Sequence, residues 1–521
     1  MTQAARQPRP PSLADSLVAV AVLIGLVTAS FLLFGEDAAF GPTQVALTLA
    51  ATLAAGIAWK NGHGWDDIRQ DVVAGIASAL PAIFILFAVG ALIGTWAMSG
   101  TLTAMVYYAL GVLSPNYFYL SACAICALVS LTIGSSWTVV ATIGVGLMGV
   151  ADQMDLSPAV TAGAVISGAY FGDKMSPLSD TVNLAAAATG AQLYDHIRAS
   201  LVTSIPAIAL AMLGFGLLGR PGDFDSATFQ AAIAARHDVS LWAFLPILLV
   251  VVLSVLRVAP FLAILGGALA GGVMAVVLQP ELVLQLAARP DLPPWIGLVK
   301  GVWQGLASGF VYTSGQADLD TLLSRGGMDS MLNTIWVIIA ALAFGAVLER
   351  AGMLERIVAP TVRFARSTVS LVATVVASAI GMNIVAGDQY LSVVLPGRMF
   401  KVEFARRDLA PRLLSRTLGD SGIVTAPLIP WNSCGAFMSA TLGVFAFAYL
   451  PFAFFNLLNP LVTILAACLV GRTMALGPAS AGDPPIEVAG RSNSALSHAD
   501  ERSTKDRTIL GRPRGREDHA C

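Results

Sequence analysis

The chain is expected to fold as an all-α polytopic membrane protein, with about 10–13 transmembrane helices. The helices should form two related, inverted repeats, with broken or re-entrant helices at the core. Three observations lead there. First, only 12% of the 521 residues are charged and 56% are apolar, against about 25% charged in a soluble domain; mean hydropathy is +0.75. Second, charge-free runs are long. Val72 to Ala151 holds no Asp, Glu, Lys, Arg or His over 80 residues, and Asp420 is the only charge in the 55 residues from Thr417 to Gly471. A bilayer core takes about 20 apolar residues per helix, so each run holds several spans. Third, interrupted apolar segments recur in the same order in both halves. This composition excludes a soluble protein, a disordered chain and a disulfide scaffold. The net charge of −2 offers no basic field for nucleic acid.

The elements follow in order. Residues 1–15 are Pro- and Arg-rich and expected to be disordered. Residues 16–71 hold two N-terminal spans, near 16–34 and 41–59. The loop between them carries Glu36 and Asp37 and no basic residue, whereas Arg6, Arg9, Lys60 and Arg69 flank the pair. The positive-inside rule then puts the N-terminus in the cytoplasm. No A-x-A cleavage pattern precedes Glu36, so the first segment reads as a span. A first half, 72–279, begins with an interrupted span near 72–98 and a short segment near 101–113. It continues with spans near 116–133 and 136–151, a broken stretch at 157–194, and spans near 200–218, 241–256 and 258–278. Residues 280–331 are mixed and amphipathic and connect the halves. The second half, 332–471, has spans near 332–348, 368–386 and 434–470. Residues 472–521 read as a disordered cytoplasmic tail. Basic clusters at 350–366 and 398–416 flank one apolar stretch, which suggests a re-entrant hairpin over 367–397.

An internal repeat supports the two-half reading. LIGTWAMSGTL (92–102) aligns with FGAVLERAGML (344–354) at an offset of 252. Ile133-Gly134 aligns with Ile380-Gly381, and Gly172-Asp173 with Gly419-Asp420, at an offset of 247. After a slip of three, PLSDTVN (177–183) faces PLIPWN (427–432). Related halves with breaks at matching places point to a secondary transporter whose substrate binds at the breaks.

The residues able to carry chemistry cluster at those breaks. In GAYFGDKMSPLSDTVNLA (168–185), Asp173, Lys174 and Asp180 are the only charges between Leu156 and Tyr194. A charge at bilayer depth costs several kcal/mol and must face water, a partner or an ion; a solvated loop with ordinary charges is the bland alternative. Pro177 removes a backbone donor between the two acids, which frees carbonyls to join the carboxylates and Asn183 as hard oxygen ligands. That set suits Na+, Li+ or H+. In LGDSGIVTAPLIPWNSCGAFMS (418–439), Asp420 stands before Pro427 and Pro430, and Asn432 supplies an amide; Asp420 as a helix cap is compatible with a binding role. In GMNIVAGDQYLSVVLPGRMF (381–400), Asn383 and Asp388 precede Arg398, which offers either a structural Asp388–Arg398 lock or a gate. In LTIGSSWTVVATIG (131–144), Thr132 and Ser136 either bind or bond back to the preceding turn. Glu349 reads as an interface residue. Cys123 and Cys126 form a CxxC inside an apolar run with no partner pair, which reads as packing. No cofactor motif is found, and no phosphate-binding loop.

At these residues the chain resembles the NhaC family of Na+/H+ antiporters, within the ion transporter superfamily. GSSWTVVATIGVGLMG, SGAYFGDKMSPLSDTVNLA, GDQYLSVVLPGRMF, GDSGIVTAPLIPWNSCGAFMSATLG and GALIGTWAMSGT carry the resemblance, over residues 70–470. It implies two related halves with broken helices, and it puts Asp173, Asp180, Asn183, Asp388 and Asp420 in the signature segments. Thr181-Val182-Asn183 lacks one hydroxyl of the family pattern, and Ile423 stands where the family has Thr. Some members exchange malate or lactate with Na+ and H+. The expectation is therefore a secondary antiporter of the bacterial plasma membrane, exchanging Na+ or Li+ for H+, with an organic-acid antiporter as the alternative. Asp173, Asp180 and Asp420 are the expected Na+ carboxylates, and Asn183, Asn432, Thr132 and Ser136 the neutral ligands. Lys174, Asp388, Arg398 and Asn383 serve as gate or support. For an organic acid, Lys174 or Arg398 would meet the carboxylate. An intramembrane aspartyl protease lacks its paired motifs here, so no enzyme activity is expected. The partners are the lipid bilayer and the transported ions, and a homodimer is compatible with the sequence.

Overall fold

A computed structural model describes residues 8–219, 230–231, 234, 239–310 and 326–470. The tail expected over 472–521 lies outside the described residues, as do the first seven residues and 311–325. Seven helices among the described residues are long and apolar enough to cross a membrane, or eight if a pair bent by 88° near Gly443 is one span. The count read from the sequence treated short and interrupted helices as spans. In the structure these are separate pieces with their own caps.

The N-terminal region forms α1 (Leu13–Phe34), α2 (Pro42–Lys60) and α3 (Trp65–Ser78). The stretch from Trp65 read as loop is thus helical. It carries Asp66 and Asp67 in its first turn, where they meet the positive end of the helix dipole. The described chain continues through α4 (Leu80–Met98), α5 (Thr101–Leu110), α6 (Phe118–Ile133) and α7 (Ser136–Val139). A π turn at Val140–Gly144 leads into α8 (Val145–Gln153). Then come α9 (Pro158–Met175), α10 (Asp180–Thr189) and α11 (Leu193–Leu217). The middle region holds α12 (Leu245–Val255), α13 (Pro260–Leu278), α14 (Pro280–Ala287) and α15 (Pro294–Ser308). The last part comprises α16 (Leu332–Arg350), α17 (Met353–Val358), α18 (Thr368–Ala386), α19 (Gln389–Arg406) and α20 (Pro411–Leu418). A π turn at Gly419–Ile423 and a 3-10 turn at Ala426–Leu428 precede α21 (Ser433–Leu442), α22 (Ala446–Tyr449) and α23 (Phe454–Val470).

The element ends recur with one register. α4 and α16 begin and end 252 residues apart. α7 and α19 begin 253 apart, α8 and α19 end 253 apart, and α10 and α21 match at both ends with 253. α9 and α20 both open on a proline, 253 apart. The left-handed glycines keep step: Gly100 with Gly352, Gly134 with Gly387, and Gly190 with Gly443. The 252 offset read from residues 92–102 agrees with this register, and the 247 offset does not. Gly134 faces Gly387 rather than Gly381, and Asp173 faces Ala426 rather than Asp420. Few side chains are shared between the halves, so identities mislead where caps and φ angles do not.

Packing is exchanged across the repeat. α2 packs on α16 while α15, its counterpart 252 residues on, packs on α4. Likewise α10 packs on α19 while α21 packs on the π turn after α7. Each half therefore completes the other. Within the first half α6 packs closely along α9. A Cβ on Gly168 would meet the Cys123 carbonyl at 2.1 Å, and one on Gly172 the Ala127 carbonyl at 2.4 Å. Small residues four apart let two backbones touch. Cys123 and Cys126 are free thiols buried in this region.

Candidate functional site

Two helix breaks cross in the first half. α6 ends on Gly134, in the left-handed region at φ 75°, where only glycine is unstrained. Ser135 then caps α7, its hydroxyl accepting from the Thr138 amide at 3.3 Å. α9 ends before Pro177, and Ser179 caps α10 by accepting from the Val182 amide at 3.3 Å. The breaks touch: a Cβ on Gly134 would lie 2.7 Å from Leu178 and 3.0 Å from the Ser176 hydroxyl.

Asp173 lies at this crossing, 4% exposed. The Ser136 hydroxyl donates to its Oδ2 at 2.8 Å. Oδ1 is buried and has no partner. A buried polar atom left unbonded costs about 1–3 kcal/mol, and a carboxylate oxygen more, unless something binds it. Asp180 does not join Asp173. It is exposed and sits on the rim, where its Oδ2 accepts from the Tyr390 hydroxyl at 2.7 Å and its Oδ1 from the Thr181 amide at 2.8 Å. Asn183 ties the break, donating to the Ser179 carbonyl at 2.7 Å and the Pro177 carbonyl at 3.3 Å. Thr132 is exposed and donates back to the Leu128 carbonyl at 3.0 Å. Its hydroxyl thus takes the backward bond to the preceding turn.

The second crossing has the same backbone and neutral chemistry. Gly387, at φ 65°, ends α18, and Asp388 caps α19 by accepting from the Leu391 amide at 2.9 Å. Asn383 donates to the Gly422 carbonyl at 2.7 Å and to the Thr425 hydroxyl at 3.0 Å. Asn432 donates to the Asn383 side-chain carbonyl at 3.1 Å and accepts from the Cys434 amide at 3.0 Å. No ion pair joins Asp388 to Arg398 among the described residues, and Arg398 is exposed; the expected lock is absent. Instead Asp388 borders a cavity of about 550 Å³ that is also lined by Asp71, Ser78, Glu349 and Arg350. Arg350 spans it, with Nε 3.1 Å from Asp71.

Asp420 belongs to neither crossing. It sits in the π turn after α20, fully buried, and both its oxygens are taken. Lys174 forms an ion pair with Oδ1, and Asn459 donates to the same oxygen at 3.1 Å. Thr203 donates to Oδ2 at 2.9 Å, as does Thr463, and the Arg416 Nε lies 3.6 Å away. Lys174 also donates to the Ser204 hydroxyl at 2.7 Å. The expectation of Asp420 as an open Na+ ligand and partner of Asp173 gives way to an internal salt-bridge network. Lys174 follows Asp173 in sequence, but its side chain serves this network.

Several of these residues were missed in the sequence. Asn456, Asn459 and Thr463 recur every three or four residues in the last helix, which was a readable sign of an inward polar face. Ser179 was readable as a cap after proline. Arg416 was counted with a surface basic cluster, and nothing in its neighbourhood marks it as the one that is buried.

A family model described as the Na+/H+ antiporter family matches residues 168–469. The Na(+)/H(+) antiporter NhaC of Alkalihalophilus pseudofirmus is 37% identical over 420 residues, covering 79% of this chain and 88% of that protein. The protein of the same name from Bacillus subtilis is 35% identical over 428 residues, 81% of this chain and 91% of its own. A malate-2H(+)/Na(+)-lactate antiporter of Bacillus subtilis is 32% identical over 471 residues, 89% of this chain and 95% of its own.

Proposed function

This chain belongs to the NhaC family of Na+/H+ antiporters, and from that membership and the geometry of its helix breaks we propose that it exchanges Na+ or Li+ for H+ across a bacterial inner membrane. Asp173 is the group for which cation and proton compete. The observation that carries this reading is the buried Oδ1 of Asp173, without a partner at the crossing of two broken helices. Out of water a bare carboxylate is disfavoured and is neutralised by a proton or by a cation. One site that holds either, and not both, exchanges them without a second coupling device. Ser136 orients the carboxylate, Asn183 holds the break open, and Asp180 with Tyr390 stands at the rim. Alternating access rocks the two halves about the crossings. The exchanged packing of α2 with α16 and of α15 with α4 supports an inverted relation between them. The N-terminus is assigned to the cytoplasm from its flanking charges.

An organic-acid exchanger is the second reading, suggested by the resemblance to the malate-2H(+)/Na(+)-lactate antiporter. It needs a cation for the substrate carboxylate. Lys174 is already held by Asp420 and Arg398 is exposed, so cation exchange is favoured. The test uses everted vesicles with an acid interior. Na+ or Li+ alone is expected to dissipate the gradient, and Asp173→Asn, present in the membrane at the normal level, is expected to abolish that response. Full response in Asp173→Asn overturns the role of Asp173. A response that requires malate or lactate moves the protein to the second reading.

A further inference from the structure

Tyr170 lies one turn before Asp173 on α9, so their side chains leave the same face of the helix. It is 0% exposed, and its hydroxyl has no hydrogen-bond partner among the oxygens and nitrogens around it. The group it faces is the thiol of Cys434, at the start of α21, and Asp173 is among the charges that act on it. Cys434 spends its own proton on the Gln389 side-chain carbonyl at 2.8 Å, so it can only accept from the Tyr170 hydroxyl and leaves that oxygen's lone pairs free. Two buried oxygens without partners, Asp173 Oδ1 and the Tyr170 hydroxyl, therefore stand one turn apart on one helix face. Buried polar atoms are bonded almost without exception, so two such orphans together mark a place where something polar binds.

We propose that the Tyr170 hydroxyl is a second protein ligand of the transported monovalent cation, a neutral oxygen that joins the Asp173 carboxylate. The proposal deepens the exchange reading and rests on Asp173 holding the cation. It also gives the site a wall from each half, since Tyr170 faces Cys434 across the repeat. A cation seated there touches both halves and is released when they part.

The test is Tyr170→Phe in the full chain. The substitution removes a hydroxyl that has no oxygen or nitrogen partner among the described residues and keeps the ring, so the variant is expected to fold. Two readouts apply: the Na+ concentration giving half-maximal exchange in vesicles, and the Na+ concentration giving half of the thermal stabilisation of purified protein in detergent, with K+ as the reference salt. Both are expected to rise about tenfold in Tyr170→Phe, with the maximal exchange rate kept. Unchanged concentrations in Tyr170→Phe, with Asp173→Asn losing both responses, overturn the role of Tyr170 and leave the exchange reading standing. A native chain that shows neither response to Na+ overturns both.

Discussion

The Lys174–Asp420 network makes an asymmetric prediction about two substitutions that look equivalent. Both partners are 0% exposed, and removing one member of a buried ion pair costs about 3–5 kcal/mol. The cost is not shared equally. Asp420 faces two cations, Lys174 and an Arg416 whose Nε lies 3.6 Å from its Oδ2. Asp420→Asn removes the carboxylate that both cations share and strands the fully buried Lys174, so its cost sits at the upper end of that range. Lys174→Met leaves the carboxylate with Arg416 and with the side chains of Thr203, Asn459 and Thr463. Its cost is nearer about 1–3 kcal/mol. The difference, about 2 kcal/mol, is roughly thirtyfold in the folded-to-unfolded ratio. Thermal unfolding of the purified protein in detergent is expected to rank native above Lys174→Met, and that above Asp420→Asn. The double variant Lys174→Met/Asp420→Asn should recover part of the loss of Asp420→Asn, because one stranded cation is gone. Lys174→Met less stable than Asp420→Asn would refute the reasoning. So would a Lys174→Met protein of native stability that no longer exchanges ions, since that would move Lys174 from the network to the transport site.

Two further outcomes are expected. Thr132→Val should leave Na+-dependent exchange in vesicles unchanged, since the hydroxyl only bonds back to Leu128; a loss of exchange would return Thr132 to the site. The glycines test the register of the repeat by protein yield and thermal stability in detergent. Gly134→Ala and Gly387→Ala force a side chain into the left-handed region at φ 75° and 65°, at about 1–2 kcal/mol each, and Gly134→Ala adds the clash with Leu178. Gly381→Ala, within α18 with open space around it, should be neutral or stabilising by about 0.5–1 kcal/mol. Equal damage from Gly381→Ala and Gly387→Ala would count against the 253 register.

The membrane class, the breaks and most of the polar residues at them were legible because the physics there is local. Proline at 177, serine at 179 and glycine at 134 act on their own neighbourhood, by a missing donor, an N-cap and a left-handed turn. A carboxylate in a charge-free run must be satisfied by something. What the sequence did not show is which carboxylate is satisfied from within. Asp173 and Asp420 look alike in the sequence, each an acid that follows a glycine and stands a few residues before a proline. Their difference lies in partners from distant elements: Lys174, Thr203, Asn459 and Thr463 for Asp420, and for Asp173 the Ser136 hydroxyl. Periodicity within one helix carries no record of that. The register failed for a related reason. Aligning Gly172-Asp173 with Gly419-Asp420 matched identities, whereas the fold preserves caps and φ angles, which Ser179 and Asn432 satisfy with different side chains.

The same argument bears on why the two crossings differ. Duplication supplies two breaks with one backbone geometry, each opened by a left-handed glycine and closed by a capping side chain. If both held a carboxylate with a spare oxygen, two cations could bind at once, and a proton on one site would not oblige a cation to leave the other. In this chain the second crossing is closed by Asn383 and Asn432, whose bonds to each other, to Gly422 and to Thr425 are neutral. The position matching Asp173 is Ala426. The one other deeply buried carboxylate beside these elements, Asp420, is neutralised by fixed cations. Among the described residues Asp173 Oδ1 is thus a buried carboxylate oxygen left without a bond or a counter-charge, whereas Asp388, the carboxylate of the second crossing, caps α19 and borders a cavity; one buried oxygen of that kind is what the proposed competition between one proton and one cation requires.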